Sequence, residues 1–139
     1  MRIIAIDYGA KRTGLATTDP MQIIATHLGA IDTKDLLDYL KTYCSKEEVE
    51  GFVIGRPLTL QNNLNPIYSQ IINLKDKLKL HFSEKYIEEI DERFTSKMAS
   101  ASILMSGVNK KKRQDKKTVD AVSAVIILQN YLDLKSNLK

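Results

Sequence analysis

The chain has 139 residues, 43% hydrophobic and 27% charged, enough for one domain with a real core and too apolar for a disordered segment. A single cysteine, Cys44, excludes a disulfide framework and a cysteine-cluster metal site, and tryptophan is absent, so the core is expected to be aliphatic. The formal charge of +4 is unevenly spread. Asn109 to Lys117 holds six cations against Asp115, while the other 130 residues carry 15 cations and 16 acids. Such a concentrated basic stretch suits a polyphosphate ligand, or else is a solvated loop with no partner. The apolar run Ile3 to Ile6 is too short for a signal peptide, and no window is long enough to span a bilayer. The expectation is a soluble cytoplasmic protein in a reducing compartment, with no membrane partner.

In chain order, Arg2-Ile3-Ile4-Ala5-Ile6 reads as a buried strand that ends on a carboxylate, Asp7. Tyr8 to Arg12 turns the chain, and Thr13 to Thr18 is a second strand closed by Asp19-Pro20. Gln22 to Ile31 reads as a third, and the short connections predict an antiparallel meander. Asp32 or Thr33 can cap a helix carrying Leu36, Leu37, Leu40, Tyr43 and Cys44 at helical spacing, with Cys44 as a packed thiol. Val49 to Ile54 is a fourth strand, ending in Gly55-Arg56-Pro57-Leu58. Asn65-Pro66 opens a helix with Ile67, Ile71, Leu74 and Leu78 on one side. Lys85 to Ile90 is a fifth strand, ending in Asp91-Glu92-Arg93. Thr95 caps a helix that stops at Gly107, and Thr118 caps the last one, Val119 to about Leu134, whose middle is apolar on nearly every face and therefore buried.

This order predicts an α/β fold: a five-stranded mixed sheet, strands one to three antiparallel and strands one, four and five parallel, with helices on both faces. Ligand crevices in such sheets lie at the carboxyl ends of the strands, where Asp7, Gly55-Arg56 and Asp91-Glu92-Arg93 would converge. Asp120, in the first turn of the last helix, joins them as a third acid. Three acids in one place repel unless a cation holds them, and magnesium takes carboxylates together with water and substrate phosphate. Two such ions can drive an in-line phosphoryl displacement. Gly9 is expected to allow a positive φ or a close approach in the turn after Asp7. Lys11, Arg12 and Arg93 could contact phosphate or pair with nearby acids. Tyr8 could stack on a base or be half-buried. Thr95 and Ser96 read as caps, and His27 and His81 as structural or exposed.

Four motifs carry a family resemblance. Ile6-Asp7-Tyr8-Gly9-Ala10-Lys11-Arg12-Thr13-Gly14-Leu15-Ala16 resembles the opening signature of the YqgF family, also called RuvX, of the RNase H-like superfamily. Gly51 to Leu58, Asp91 to Ser96, and Lys117 to Leu132 resemble its strand-four, strand-five and closing-helix motifs, in the same order. The resemblance implies one RNase H-like domain over 1–139 and a metal-dependent endonuclease, associated with 5′-end processing of pre-16S rRNA and related to RuvC-type Holliday junction resolvases. By matching motif, Asp7, Glu92 and Asp120 would bind Mg²⁺ or Mn²⁺, as two ions, with Asp91 as the alternative strand-five ligand. RuvC-type enzymes place an acid at the end of strand four; here that position reads Ile54-Gly55-Arg56, so the strand-five acid would have to substitute.

The implied phosphate path runs from Gly9, Lys11 and Arg12 past Arg56 and Arg93 to Lys110, Lys111, Lys112, Arg113, Lys116 and Lys117. Arg56 stands where the family commonly has an apolar residue, and is either an added phosphate contact or a surface cation. The implied partners are structured RNA, as pre-rRNA or in the small-subunit precursor, or branched DNA. The chain would act as a monomer or a weak homodimer. The alternatives are a resolvase-like DNase and a non-catalytic RNA-binding ribosome-assembly factor. A sugar-kinase or actin-like nucleotide clamp, which needs two copies of such a fold, does not fit 139 residues.

Overall fold

A computed structural model of the chain describes residues 1–56, 67–91 and 116–137; for Asp91, for 116–121 and for 136 and 137 it describes the backbone alone. The strands are β1 (Arg2–Asp7), β2 (Arg12–Thr18), β3 (Ala25–Asp32), β4 (Val49–Arg56) and β5 (Tyr86–Asp91). The helices are α1 (Leu36–Lys46), α2 (Tyr68–His81) and α3 (Lys116–Asn137). The sheet order is β3-β2-β1-β4-β5, with β1 antiparallel to β2, β2 antiparallel to β3, β1 parallel to β4 and β4 parallel to β5. This is the expected mixed sheet with helices on both faces.

β1 is central because both of its faces are apolar. Ile4 and Ile6 join Phe52, Ile54, Leu36, Leu40, Ile71 and Leu78 in the layer under α1 and α2. Ile3 and Ala5 join Ala16, Val53, Ala124, Ile127 and Leu128 in the layer under α3. Ile3, Ile4 and Ile6 are fully buried, and complete burial of one such side chain contributes about 1.5–3 kcal/mol. Period-two alternation therefore decides which layer each strand residue serves.

Three boundaries differ from expectation, the first two for a local reason. The third strand starts at Ala25 rather than Gln22. The Asp19 carboxylate accepts hydrogen bonds from the backbone N–H of Met21, Ile23 and Ile24 at 3.1, 2.7 and 2.8 Å, which keeps those residues in the turn. Those bonds, that from Ile24 foremost, outweigh the smaller effect of burial and hold the Asp19 carboxyl below its ordinary pKa. Neither Asp32 nor Thr33 caps α1 with its side chain; a 3₁₀ turn over Thr33–Asp35 leads into the helix instead. The last helix already includes Lys116, so Thr118 lies inside it and is not its cap. The expected Asn65-Pro66 helix start and the helix from Thr95 to Gly107 lie outside the described residues.

Candidate functional site

β1 delivers Asp7 to the carboxyl edge of the sheet, paired with Gly14 of β2. The turn that follows opens a cleft of about 700 Å³ lined by Asp7, Tyr8, Gly9, Ala10, Lys11, Arg12 and Asp32. Gly9 is required by close approach: a Cβ there would collide with the carbonyl oxygen of Arg12. Its backbone is not left-handed; among the described glycines only Gly29 has a positive φ, at 111°.

Thr33 pins this turn to the rest of the fold. Its hydroxyl donates to Gly9 O at 2.6 Å and its backbone N–H donates to Lys11 O at 2.9 Å. Having spent its one hydrogen on Gly9, the Thr33 hydroxyl accepts the hydrogen of Thr13 Oγ1, 2.8 Å away. Thr13 is itself fully buried. The turn is thus held by two strands and a helix entry.

Two acids and two cations share the cleft. Asp32 was read from the sequence only as a helix cap; its register partner in β2 is Arg12, which brings it to the rim. Aspartate oxygens are the donor class that hard divalent cations take. Asp7 and Asp32 fit such an ion by chemistry but are too few to hold it alone, and no group of three or more metal-ligating side chains occurs among the described residues. Glu92, Arg93 and Lys110, Lys111, Lys112 and Arg113 lie outside the described residues. Lys116 and Lys117 lie in the first turn of α3, described by backbone alone.

The neighbouring strand ends separate into two faces. Ile90 of β5 packs in the α3 layer, whereas Ile87 packs in the α1–α2 layer. Glu89, of the same parity as Ile87, accepts a hydrogen bond from Tyr68 Oη at 3.0 Å and lies 3.6 Å from Lys75 Nζ and 3.8 Å from Arg56 Nε, all measured to Oε2. Arg56 is therefore an ion-paired residue whose side chain is still 41% exposed, against 12% for Glu89. The second Glu89 oxygen, Oε1, is buried without a hydrogen-bond partner among the described residues. Glu89 is not among the residues expected from the sequence. The signal was available, since of two consecutive glutamates in a strand, Glu88 and Glu89, one must face the α1–α2 layer.

α3 packs chiefly across β2 and β3, with β1 and then β4 beside them. Near its far end, Lys135 Nζ reaches Gln22 Oε1 at 3.1 Å and Glu50 Oε2 at 3.4 Å, beside the start of β4. Asp120 lies 15 residues earlier, about 22 Å along the helix at about 1.5 Å per residue. From Arg2, level with Val49, to Asp7 is about 17 Å of strand at about 3.3 Å per residue. The start of α3 and the end of β1 therefore reach the same edge of the sheet.

The remaining residues fall away from the cleft or serve packing. Tyr8 packs against the core under α1 and α2, and burial pushes its phenol up. Cys44 packs against the same core, and burial likewise raises its thiol above the ordinary value. His27 lies exposed on the edge strand β3 and His81 exposed at the end of α2. No helix among the described residues is long and apolar enough to cross a membrane.

Known proteins of similar sequence share one name. Curated relatives called "Putative pre-16S rRNA nuclease" include one from Porphyromonas gingivalis, 51% identical over 95% of this chain and 96% of its own length. Another, from Amoebophilus asiaticus, is 46% identical over 94% of this chain and 93% of its own. A third, from Flavobacterium johnsoniae, is 46% identical over 96% and 97%. Among solved structures, Archaeoglobus fulgidus Pelota aligns with 99% of this chain and 38% of its own at 11% identity and a TM-score of 0.42, too slight a likeness to bear on the fold. The family model described as "RuvX: Holliday junction resolvase" matches residues 1–134. With that match over nearly its whole length, the chain belongs to the RuvX family.

Proposed function

We propose that the chain is a metal-dependent endonuclease that hydrolyses phosphodiester bonds in nucleic acid, with 5′-end processing of pre-16S rRNA in the cytoplasm as its task. The observation that carries this reading is Asp7. It stands at the end of a fully buried strand, in an open cleft with Lys11 and Arg12 on its rim, where α3 begins. The relatives' name and the family's description support the same class of reaction.

In this reading Asp7, Glu92 and Asp120 hold two Mg²⁺ or Mn²⁺ ions. Bound there, such ions activate water and stabilise the leaving oxygen of an in-line displacement. Strand parity favours Glu92 over Asp91, because Ile90 serves the α3 layer, as Ile3 and Ala5 do on the strand that ends in Asp7. Asp120 is one helical turn before Ala124, which is buried in that layer. Lys11 and Arg12 hold the phosphate against the acids, and the rigid turn at Gly9 keeps both in place. The pre-rRNA within the small-subunit precursor is the proposed partner.

The family's description favours a second reading, a resolvase acting on branched DNA, which needs two such sites and hence a dimer. Cleavage assays on precursor 16S rRNA and on a four-way DNA junction, with Mg²⁺ or Mn²⁺ and with Asp7→Asn in parallel, decide between them. Metal-dependent cleavage of the RNA, abolished in Asp7→Asn, is expected. Cleavage that survives the substitution overturns the site. Tight binding with no cleavage under any metal would make the chain an RNA-binding assembly factor.

A further inference from the structure

The Asp7 cleft does not stop at the turn. Tyr8 and Ala10 also line a second groove, of about 390 Å³, that runs between the start of α1 and the side of α2. Its floor is apolar, from Leu36, Leu37 and Leu74, and its walls carry Gln70, Asn73, Lys34 and Lys77. The two hollows differ in charge. Among the described residues, two carboxylates line the first and none lines the second. Lys34 and Lys77 are exposed, and neither is ion-paired among the described residues.

We propose that this groove is a subsite for one unpaired nucleotide beside the bond presented to Asp7. The base rests on the leucine floor against the Tyr8 ring, its edge faces the Gln70 and Asn73 amides, and the flanking phosphates meet Lys34 and Lys77. Each part of the groove matches one part of such a ligand. An aromatic ring beside apolar side chains is the platform on which single-stranded bases stack, whatever their identity. Side-chain amides can both donate to and accept from a base edge. The two exposed lysines can neutralise phosphates and release their counterions. The Tyr8 hydroxyl, bonded to Gln70 Oε1 at 3.3 Å, sets the ring's tilt without using up the groove. The volume lies at the small end of the range for ligand pockets, about 300–1,000 Å³, which suits one nucleotide and not a stacked pair. A duplex would also hide the base edge and face that the groove is built to meet. The substrate strand is thus single-stranded on one side of the cut.

This inference takes its meaning from the proposed nuclease reading, but its test reads binding and not cleavage. Fluorescence polarisation in EDTA compares an RNA hairpin bearing a short single-stranded tail with the same hairpin without it. For the Lys34→Ala/Lys77→Ala protein, the tailed hairpin should bind about tenfold more weakly. Its salt slope should drop by about 1.4, two single-strand phosphates at about 0.7 each. The tail-less hairpin should bind as before. Tyr8→Ala should weaken the tailed hairpin by about five- to 100-fold through lost stacking. Lys46→Ala/Lys79→Ala removes the same charge outside the groove and should leave tail binding intact. Equal losses on both hairpins, an unchanged salt slope, or the same loss in the charge-matched control would overturn the subsite. Cleavage retained by Asp7→Asn would overturn Asp7 as the cleavage site, and absence of cleavage in the wild type under any metal would overturn the nuclease reading; either leaves this binding result standing.

Discussion

The hydroxyl of Thr33 donates to the carbonyl oxygen of Gly9 at 2.6 Å, which ties the turn beside Asp7 to the entry of α1. The same hydroxyl accepts from Thr13, so one side chain joins the turn, β2 and the 3₁₀ segment. Thr33→Val removes both bonds and leaves the fully buried Thr13 hydroxyl without its acceptor. A loss of about 1–2 kcal/mol is expected from the denaturation midpoint. Activity should fall further than stability explains, because the turn that carries Lys11 and Arg12 loosens. Thr33→Ser keeps the hydroxyl and should restore most of both; failure of that rescue would assign the effect to packing of the methyl group.

Gly9 and Gly29 give a matched pair of substitutions. A Cβ at Gly9 meets the Arg12 carbonyl, so Gly9→Ala must push the turn open. Displacing a reacting geometry by about 1 Å can cost on the order of 100-fold in rate. At Gly29 the space is open and only the φ of 111° is strained, so Gly29→Ala should cost about 1 kcal/mol with activity intact. Parallel measurement of cleavage rate and melting temperature separates the two, and equal activity loss in both would refute the close-approach role of Gly9.

Glu89 holds Arg56, Lys75 and Tyr68 at the end of β4 and β5. Glu89→Ala leaves two cations facing each other and should destabilise more than Arg56→Ala, which leaves Lys75 to pair with the carboxylate. Because Arg56 is 41% exposed, solvent screening keeps the Arg56–Glu89 coupling at about 0.5–1 kcal/mol in a double-mutant cycle. Coupling near zero would mean that Arg56 is free to serve substrate phosphate alone.

Much of the fold was legible because β1 is apolar on both faces and the helices repeat at regular spacing. Ile4 and Ile6 against Ile3 and Ala5 already announce a strand with layers above and below. The turn after Asp19 was not legible as a turn, since Ile23 and Ile24 look like strand residues. Their backbone is claimed by the Asp19 carboxylate, and both side chains are left exposed. Thr33 looked like a helix cap because threonine favours that role; tertiary competition from Gly9 O took its hydroxyl elsewhere. Asp7 stood out as an acid that closes an apolar strand. Asp32 and Glu89 did not, because register and strand parity, not local pattern, bring them to the site edge.

Glu50 gives a pH-dependent latch at the opposite edge of the sheet. Burial alone would raise its pKa, but the neighbouring Tyr86 hydroxyl, the bond from Gln22 at 2.6 Å and the nearby Lys135 hold the carboxyl below its ordinary 4.5. A carboxyl lowered in the folded state means that the unfolded chain binds more protons as the solution is acidified. The stability it contributes is complete above the unfolded value and is lost as pH falls through the folded one. The stability gap between wild type and Glu50→Gln should therefore be widest at neutral pH and should shrink below about pH 4.5. Urea midpoints for both proteins at neutral pH and in acid read this directly, and a gap independent of pH would place the Glu50 effect in packing.

The basic stretch Lys110, Lys111, Lys112 and Arg113 is separable from the groove lysines by the size of its salt effect. Its four cations can release up to four counterions, so replacing all four by alanine should flatten the slope of log affinity against log salt by about 3. Lys34→Ala/Lys77→Ala should flatten it by less than half of that. The two effects should also differ in what they depend on. Loss from the basic stretch should appear with any nucleic acid, duplex or single-stranded, because charge alone drives it. Loss from the groove should require the unpaired tail. Cleavage by the four-alanine protein should recover at low ionic strength, where the remaining cations suffice to hold substrate near Asp7. Activity that stays lost at low salt would instead show that this stretch helps to assemble the acids.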